Sequence, residues 1–337
     1  MPSSTTSSSC TSPDPSHLTI PSKPTAPISY TFFPGANPSS SPSTHLIIFI
    51  NGLGLPAASW TPSINILRTK LPSHPACLTY DRYGQGLTTA RDPIDGSPGK
   101  EDGHDFLDVV ADLHEIINVI AATKFSFADD AKDIENGKLQ LLMIGSSIGC
   151  PIIRLYAQHH SGLVSGAIFL DSNIANANFS DFLPDPDDPS FTPDMVVADD
   201  CTLMQYRGAR DRLAAMFDLG VKNAENLDRR SGRTLLPSAE SPKLVGPAGK
   251  GPWLNVVGHD PEVFAESGLE RMGTPKSLTM RFTNPYWAKY NKGLTRITDP
   301  ERCQGVAIAK GCGHFIHSDD PEFVAGEVMS IIEKLGW

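Results

Sequence analysis

The chain has 337 residues, 39% of them hydrophobic and 20% charged, enough to bury a substantial core in one large domain, or in one domain carrying an inserted piece. Fibrous and wholly disordered classes are excluded on that ground. A formal net charge of -10 and the lack of a basic stripe make nucleic acid and anionic membrane surfaces poor electrostatic partners, and the longest apolar runs, such as LIIFI at 46–50, fall far short of the roughly 20 residues that span a bilayer.

Residues 1–16, MPSSTTSSSCTSPDPS, lack a basic n-region and an apolar h-region and read as a flexible tail, not a secretory signal. Six scattered cysteines read as reduced thiols of an intracellular protein, so the cytoplasm is the expected address. HLTI (17–20) and ISYTFF (28–33) read as short strands ahead of a Pro/Ser-rich loop. HLIIFI (45–50), ending at Asn51-Gly52, and ACLTY (76–80), ending at Asp81, are continuous apolar runs. Strands buried on both faces have that texture, which points to a parallel sheet.

In 105–122, Phe106, Val109, Val110, Leu113, Ile116, Ile117 and Ile120 recur at helical spacing. LQLLMI (139–144), a helix from Pro151 to about Gln158, and GAIFL (166–170), ending at Asp171, continue the strand–helix alternation of a doubly wound α/β sheet. From 174 to 274 the texture turns Pro/Asp-rich, with one helical stretch at 201–220, and reads as a mainly helical insertion. The alternation is expected to resume with a strand at 277–282 (SLTMRF), a helix near 286–298, a strand at 305–309 and a closing helix at 321–335 with Pro321 in its first turn. The expected organisation is therefore a core over 17–173, a cap over 174–274 and the rest of the core over 275–337.

LLMIGSSIGCP (141–151) carries the first chemical signal. A serine hydroxyl becomes a useful nucleophile only where a base reaches it and donors hold the oxyanion it creates. In the spacing G-x-S-x-G, small residues two before and two after the serine relieve a sharp strand-to-helix turn. Gly145, Ser147 and Gly149 fit this register, whereas Ser146 is flanked by Ile144 and Ile148. The N–H of Ile148, at the start of the following helix, is one expected oxyanion donor. The other is the N–H of Leu53, in the loop FINGLGLPAASW, where Gly52 and Gly54 allow backbone to come close.

Among ten histidines, His314 follows a late apolar strand in GVAIAKGCGHFIHSDDPEF, with Gly311 and Gly313 freeing its loop; His317 is its neighbour and competitor. The others, His259 among them, are read as surface or packing residues in the tail, in loops or on helices. Cys303, Cys312, His314 and His317 lack the ligand spacing of a zinc site, and no phosphate-binding loop is present, so neither a metal nor a cofactor is expected.

Taken together, NGLG after a strand, YDRYGQGLT (80–88) after the next, GSSIG at the elbow and GCGHFIHSDDPEF before the last helix resemble the α/β-hydrolase superfamily in its capped form. The resemblance implies Ser147 as nucleophile, His314 as base, Leu53 and Ile148 as oxyanion donors and 174–274 as cap. Asn51 stands where His-Gly is common, and Ser146 where the residue before the nucleophile is often histidine. A carboxylate is also missing from TMRFTNPYW, where families of this sort usually keep the triad acid. Asp171, after strand six, is the best-placed substitute, as in some members that include fungal zearalenone lactonases. Asp260 is the alternative if NVVGHDPEVF forms strand seven, and Asp81 is assigned to tying down its own turn.

The resulting expectation is a cofactor-independent serine hydrolase that cleaves a small apolar ester or lactone through an acyl-enzyme. Serine at the elbow argues against epoxide hydrolase or dehalogenase chemistry, for which this fold uses an aspartate. The rivals are a lyase or cyclase using the same pocket and a catalytically idle binding protein. Phe182, Phe191, Met204, Tyr206 and Met216 of the cap, with Trp287 and Tyr290, are equally readable as pocket lining or core. Oligomeric state is not legible.

Overall fold

The computed structural model describes residues 12–36, 45–125, 127, 134 and 137–337; most of the expected tail, residues 1–11, lies outside them. The strands are β1 (Ser16–Ile20), β2 (Lys23–Phe33), β3 (His45–Ile50), β4 (Ala76–Tyr80), β5 (Gln140–Ser146), β6 (Val164–Leu170), β7 (Trp253–His259) and β8 (Val306–Ala309). They form one sheet in the order β1-β2-β4-β3-β5-β6-β7-β8. The pairs β1/β2 and β2/β4 are antiparallel, and all later pairs are parallel.

The continuous apolar runs are explained by burial on both faces. In β3, Leu46, Ile48 and Ile50 enter the core formed with helices α2 (Phe106–Ile120) and α3 (Gly149–His159). The alternate residues Ile47 and Phe49 enter a second core, formed with α1 (Thr61–Lys70) and the C-terminal helix. With both faces covered, period-two alternation of polarity vanishes from the sequence. Helix α2 is started by Asp105, whose carboxylate accepts from the N–H groups of Leu107 and Asp108 while Asp108 reaches back to the Asp105 N–H. This reciprocal cap satisfies donors that a helix start would leave unpaired.

After β6 the chain leaves the sheet and returns at Trp253. The excursion contains α4 (Leu203–Phe217), capped by Thr202 and Gln205, and a small core of Leu183, Val196, Cys201, Tyr206, Ala209 and Leu213 that also takes in Leu278. Strand β7 therefore lies inside the span 174–274 expected to be insertion, and the segment outside the sheet ends before residue 253. The strand expected at 277–282 is helical instead: Lys276–Leu278 leads through a π-turn at Thr279–Thr283 into α6 (Asn284–Leu294). Leu278, Met280 and Phe282 alternate as a strand would, but of these three only Leu278 is buried, and Thr279, Thr283 and Trp287, buried at a spacing of four, mark a helical face. Helix α5 (Pro261–Met272) lies between β7 and this segment, and α7 (Pro321–Leu335) closes the chain with Pro321 in its first turn, as expected. No helix among the described residues is long and apolar enough to cross a membrane.

Candidate active site

Three loops at the C-terminal ends of β5, β6 and β8 build the site. Ser146 pairs with Leu170 across β5 and β6, so the next residue on each strand, Ser147 and Asp171, stands at the same edge of the sheet. Both turn there through left-handed backbone, with φ of 52° and 45°. Such strain in non-glycine residues is retained where the surroundings overdetermine it, often at functional positions. The Ser147 N–H donates to the Leu170 carbonyl at 3.0 Å, and the Ser147 carbonyl accepts from Cys150 and Asn173.

The glycines around Ser147 are sterically required. A Cβ at Gly145 would stand 2.7 Å from the carbonyl carbon of Gly149, and one at Gly149 would run into the Ile50 carbonyl oxygen of β3. Helix α3 can thus start immediately after the serine. A Cβ on Gly52 would lie 3.4 Å from that of Ser147, which puts the 51–54 loop against the elbow, and Gly54 adopts φ 70°. Among the described residues the N–H groups of Leu53 and Ile148 donate to no other group, so both remain available to a ligand.

Asp171 is fully buried and accepts on both oxygens. Its Oδ2 takes a bond from His314 Nδ1 at 2.5 Å; its Oδ1 takes one from His259 Nδ1 at 2.8 Å and a longer one, 3.4 Å, from the His259 backbone N–H. Burial by itself would raise the pKa of this carboxyl, but the His259 charge and the bonds from His259 and His314 outweigh it and hold the group below the ordinary carboxylate range.

Asp260, the alternative acid, does follow β7, yet among the described residues it shares no hydrogen bond with His314. It caps α5 through the Glu262 N–H and accepts from the Gly311 N–H at 3.1 Å, which fastens the loop that carries His314. Asp81 accepts from the N–H groups of Ala57 and Leu87 and so holds two turns together. His317, the competitor to His314, is buried, with Nε2 3.2 Å from the Ser59 hydroxyl.

The Ser147 hydroxyl and the His314 imidazole share no hydrogen bond among the described residues; bonds of this kind are often long until a substrate closes the site. Aromatic rings pack around His314: Trp287 lies 5.5 Å and Phe264 6.4 Å from it, centroid to centroid. The Trp287 indole donates to the Ser172 carbonyl, and Phe182 packs 6.4 Å from the same indole. Of the other cap residues considered, Tyr206 is buried in the insertion's own core with Phe191 against it, whereas Met204 and Met216 are exposed. Tyr290 is committed to structure, its hydroxyl accepting from Arg154 and from the Ala175 N–H.

Two groups escaped the reading of the sequence. His259, assigned there to surface or packing, is the last residue of β7 and a direct partner of Asp171; once WLNVVGH is recognised as a strand, its position at a strand end is the signal. Glu225 comes from the insertion, is fully buried, and binds both Arg82 and the Gly54 N–H. Arg82 and Gln85 in turn donate to the Gly52 carbonyl, and Arg82 also to that of Asn51. The loop carrying Leu53 is therefore clamped from both sides by a buried charge pair, for which nothing around residue 225 gives a sequence signal.

No curated protein matches the sequence significantly. Among solved structures, the chain resembles a monoglyceride lipase from Saccharomyces cerevisiae in complex with a substrate analogue, at TM-score 0.54 and 13% identity over 96% of this chain and 95% of that one. It also resembles a thermophilic esterase from Thermogutta terrifontis (0.50, 13%, 96% and 99%) and an epoxide hydrolase mutant from Vigna radiata (0.52, 12%, 95% and 98%). At these identities the likeness is one of fold. The sequence profile of the alpha/beta hydrolase family matches residues 47–327, most of the chain and every strand from β4 to β8, and the protein is accordingly a member of that family.

Proposed function

We propose that the protein is a serine hydrolase that cleaves a carboxylic ester or lactone through an acyl-enzyme on Ser147. The observation that carries this reading is the contact of His314 with the buried Asp171 carboxylate, at the strand end adjacent to the strained elbow serine. With Nδ1–H donated to Asp171, Nε2 is the basic nitrogen. It takes the Ser147 proton as Oγ bonds to the substrate carbonyl carbon, and the oxyanion is held by the N–H groups of Leu53 and Ile148. Collapse of the tetrahedral species breaks the bond to the alkoxide, which leaves with the proton from His314. Water, deprotonated by the same nitrogen, then attacks the ester carbon of the acyl-enzyme and releases the acid and Ser147.

The aromatic surroundings of His314 favour an apolar small molecule as substrate, and no cofactor is needed for any step. Ser147→Ala tests the reading: turnover of p-nitrophenyl esters should vanish while the fold, followed by circular dichroism, is unchanged. Activity retained in this variant would refute the assignment. The missing bond between Ser147 and His314 would suit a lyase or cyclase in which His314 works without acylation; in that case an activity on a non-ester substrate survives Ser147→Ala.

A further inference from the structure

His259 has an acceptor at each ring nitrogen. On one side stands Asp171, a carboxylate with no proton to give, 2.8 Å from Nδ1. On the other is the Asn284 side chain, 3.1 Å from Nε2. Its amide orientation is decided by the Pro261 carbonyl, which can only accept and lies 3.0 Å away. The NH2 group must face Pro261, so the amide oxygen faces His259. A neutral imidazole carries one N–H and would leave one of these acceptors facing a lone pair in a site only 5% exposed.

We propose that His259 is a positioning residue kept as an imidazolium, and that this built-in cation, bonded to the same Asp171 carboxylate that holds His314, shapes the pH dependence of turnover. The two carboxylates near the ring favour the cation. Asp171 faces it from the end of β6 and Asp260 from the N-terminus of α5, and both favour the charged form. Lys292 of α6, exposed, lines a groove together with His259 and Asn284, and His314 bonds the other oxygen of Asp171. The rings of Phe264, stacked at 4.1 Å, and Trp287, edge-on at 5.5 Å, complete the enclosure. Burial pulls the His259 imidazole down, but the Asp171 charge, the bonds to Asp171 and Asn284 and the Asp260 charge carry it above its ordinary value.

The consequence for chemistry follows from charge sharing. Asp171 holds a cation at one oxygen and the candidate catalytic imidazole at the other, so removing that cation changes the charge balance on which turnover depends. The statement about pH and turnover rests on the acyl-enzyme reading above; the statement about the charge of His259 does not.

Two measurements test it. In 15N-histidine-labelled full-length protein, the His259 resonances, assigned by their loss in His259→Gln, should show both ring nitrogens protonated at pH 8. A neutral single tautomer at pH 7 would overturn the proposal whether or not the enzyme turns over any ester. In kcat/KM profiles, the acid limb should move upward by about one pH unit in His259→Gln. It should move the same way, by less, in Asn284→Leu, where Nε2 can shed its proton. Limbs unchanged in both variants, in an enzyme whose turnover is abolished by Ser147→Ala, would defeat the inference and leave the hydrolase reading intact. Turnover indifferent to Ser147→Ala would instead defeat the hydrolase reading, with the charge of His259 still decided by the resonances.

Discussion

Asp171→Asn changes only one atom's chemistry, yet it sets an amide that can donate as well as accept against two imidazole N–H groups. His314 is then held in the wrong tautomer or turned away, and kcat should fall by about three to four orders of magnitude. Removing one member of a buried charged pair also leaves His259 uncompensated, so unfolding in urea should show a loss of about 3–5 kcal/mol. A second residue acts on stability alone. His317 is stacked on Trp60 at 4.2 Å, and burial, aided by the His314 charge, depresses its pKa to about 4. Between pH 6.5 and 4 the unfolded chain binds a proton here and the folded chain does not. Stability therefore falls as pH drops through that window, by about 3 kcal/mol in total, and His317→Phe should flatten this part of the curve in pH-dependent thermal unfolding. At this scale Ser147, Asp171 and His314 could be singled out in the sequence because each ends an apolar run or sits in a fixed glycine spacing. His259 and Glu225 could not, because their partners are brought to them only by strand order and by the path of the insertion.

Among the elements, the turn between β5 and α3 is tightly constrained. In Gly149→Ala the new methyl meets the Ile50 carbonyl, so β3 and α3 must separate. The expected outcome is a loss of about 1–3 kcal/mol by thermal or urea unfolding, with activity falling further than stability because Ser147 moves with the turn. Strands β3 to β6 were legible because burial on both faces writes an unbroken apolar run. Strand β7 was not: WLNVVGH carries Asn255, which bonds Glu327 of α7, and it follows a Gly/Pro-rich stretch that reads as loop. The opposite error at 277–282 has the same root. Alternating Leu278, Met280 and Phe282 mimic a strand, and only the burial of Thr279 and Thr283 against neighbouring elements shows the helical repeat.

Over the whole molecule, the insertion is tied to the 51–54 loop through a fully buried residue. Glu225 holds Arg82 and the Gly54 N–H, so the position of Leu53 depends on a segment distant in sequence. Glu225→Ala should cost about 3–5 kcal/mol of stability, the penalty for stranding a buried guanidinium. It should also lower kcat about ten- to a hundredfold, with a smaller change in KM, since the Leu53 N–H, the proposed oxyanion donor, is left unpositioned. Steady-state kinetics on a variant shown to be folded checks this. The central claim, that His314 activates Ser147 for attack on an acyl carbon, is tested most directly by intact-protein and peptide mass spectrometry after a fluorophosphonate probe. A single adduct on Ser147, forming at least a hundredfold more slowly in His314→Ala, is the predicted result. An adduct on another residue, or equal rates with and without the imidazole, would contradict the account.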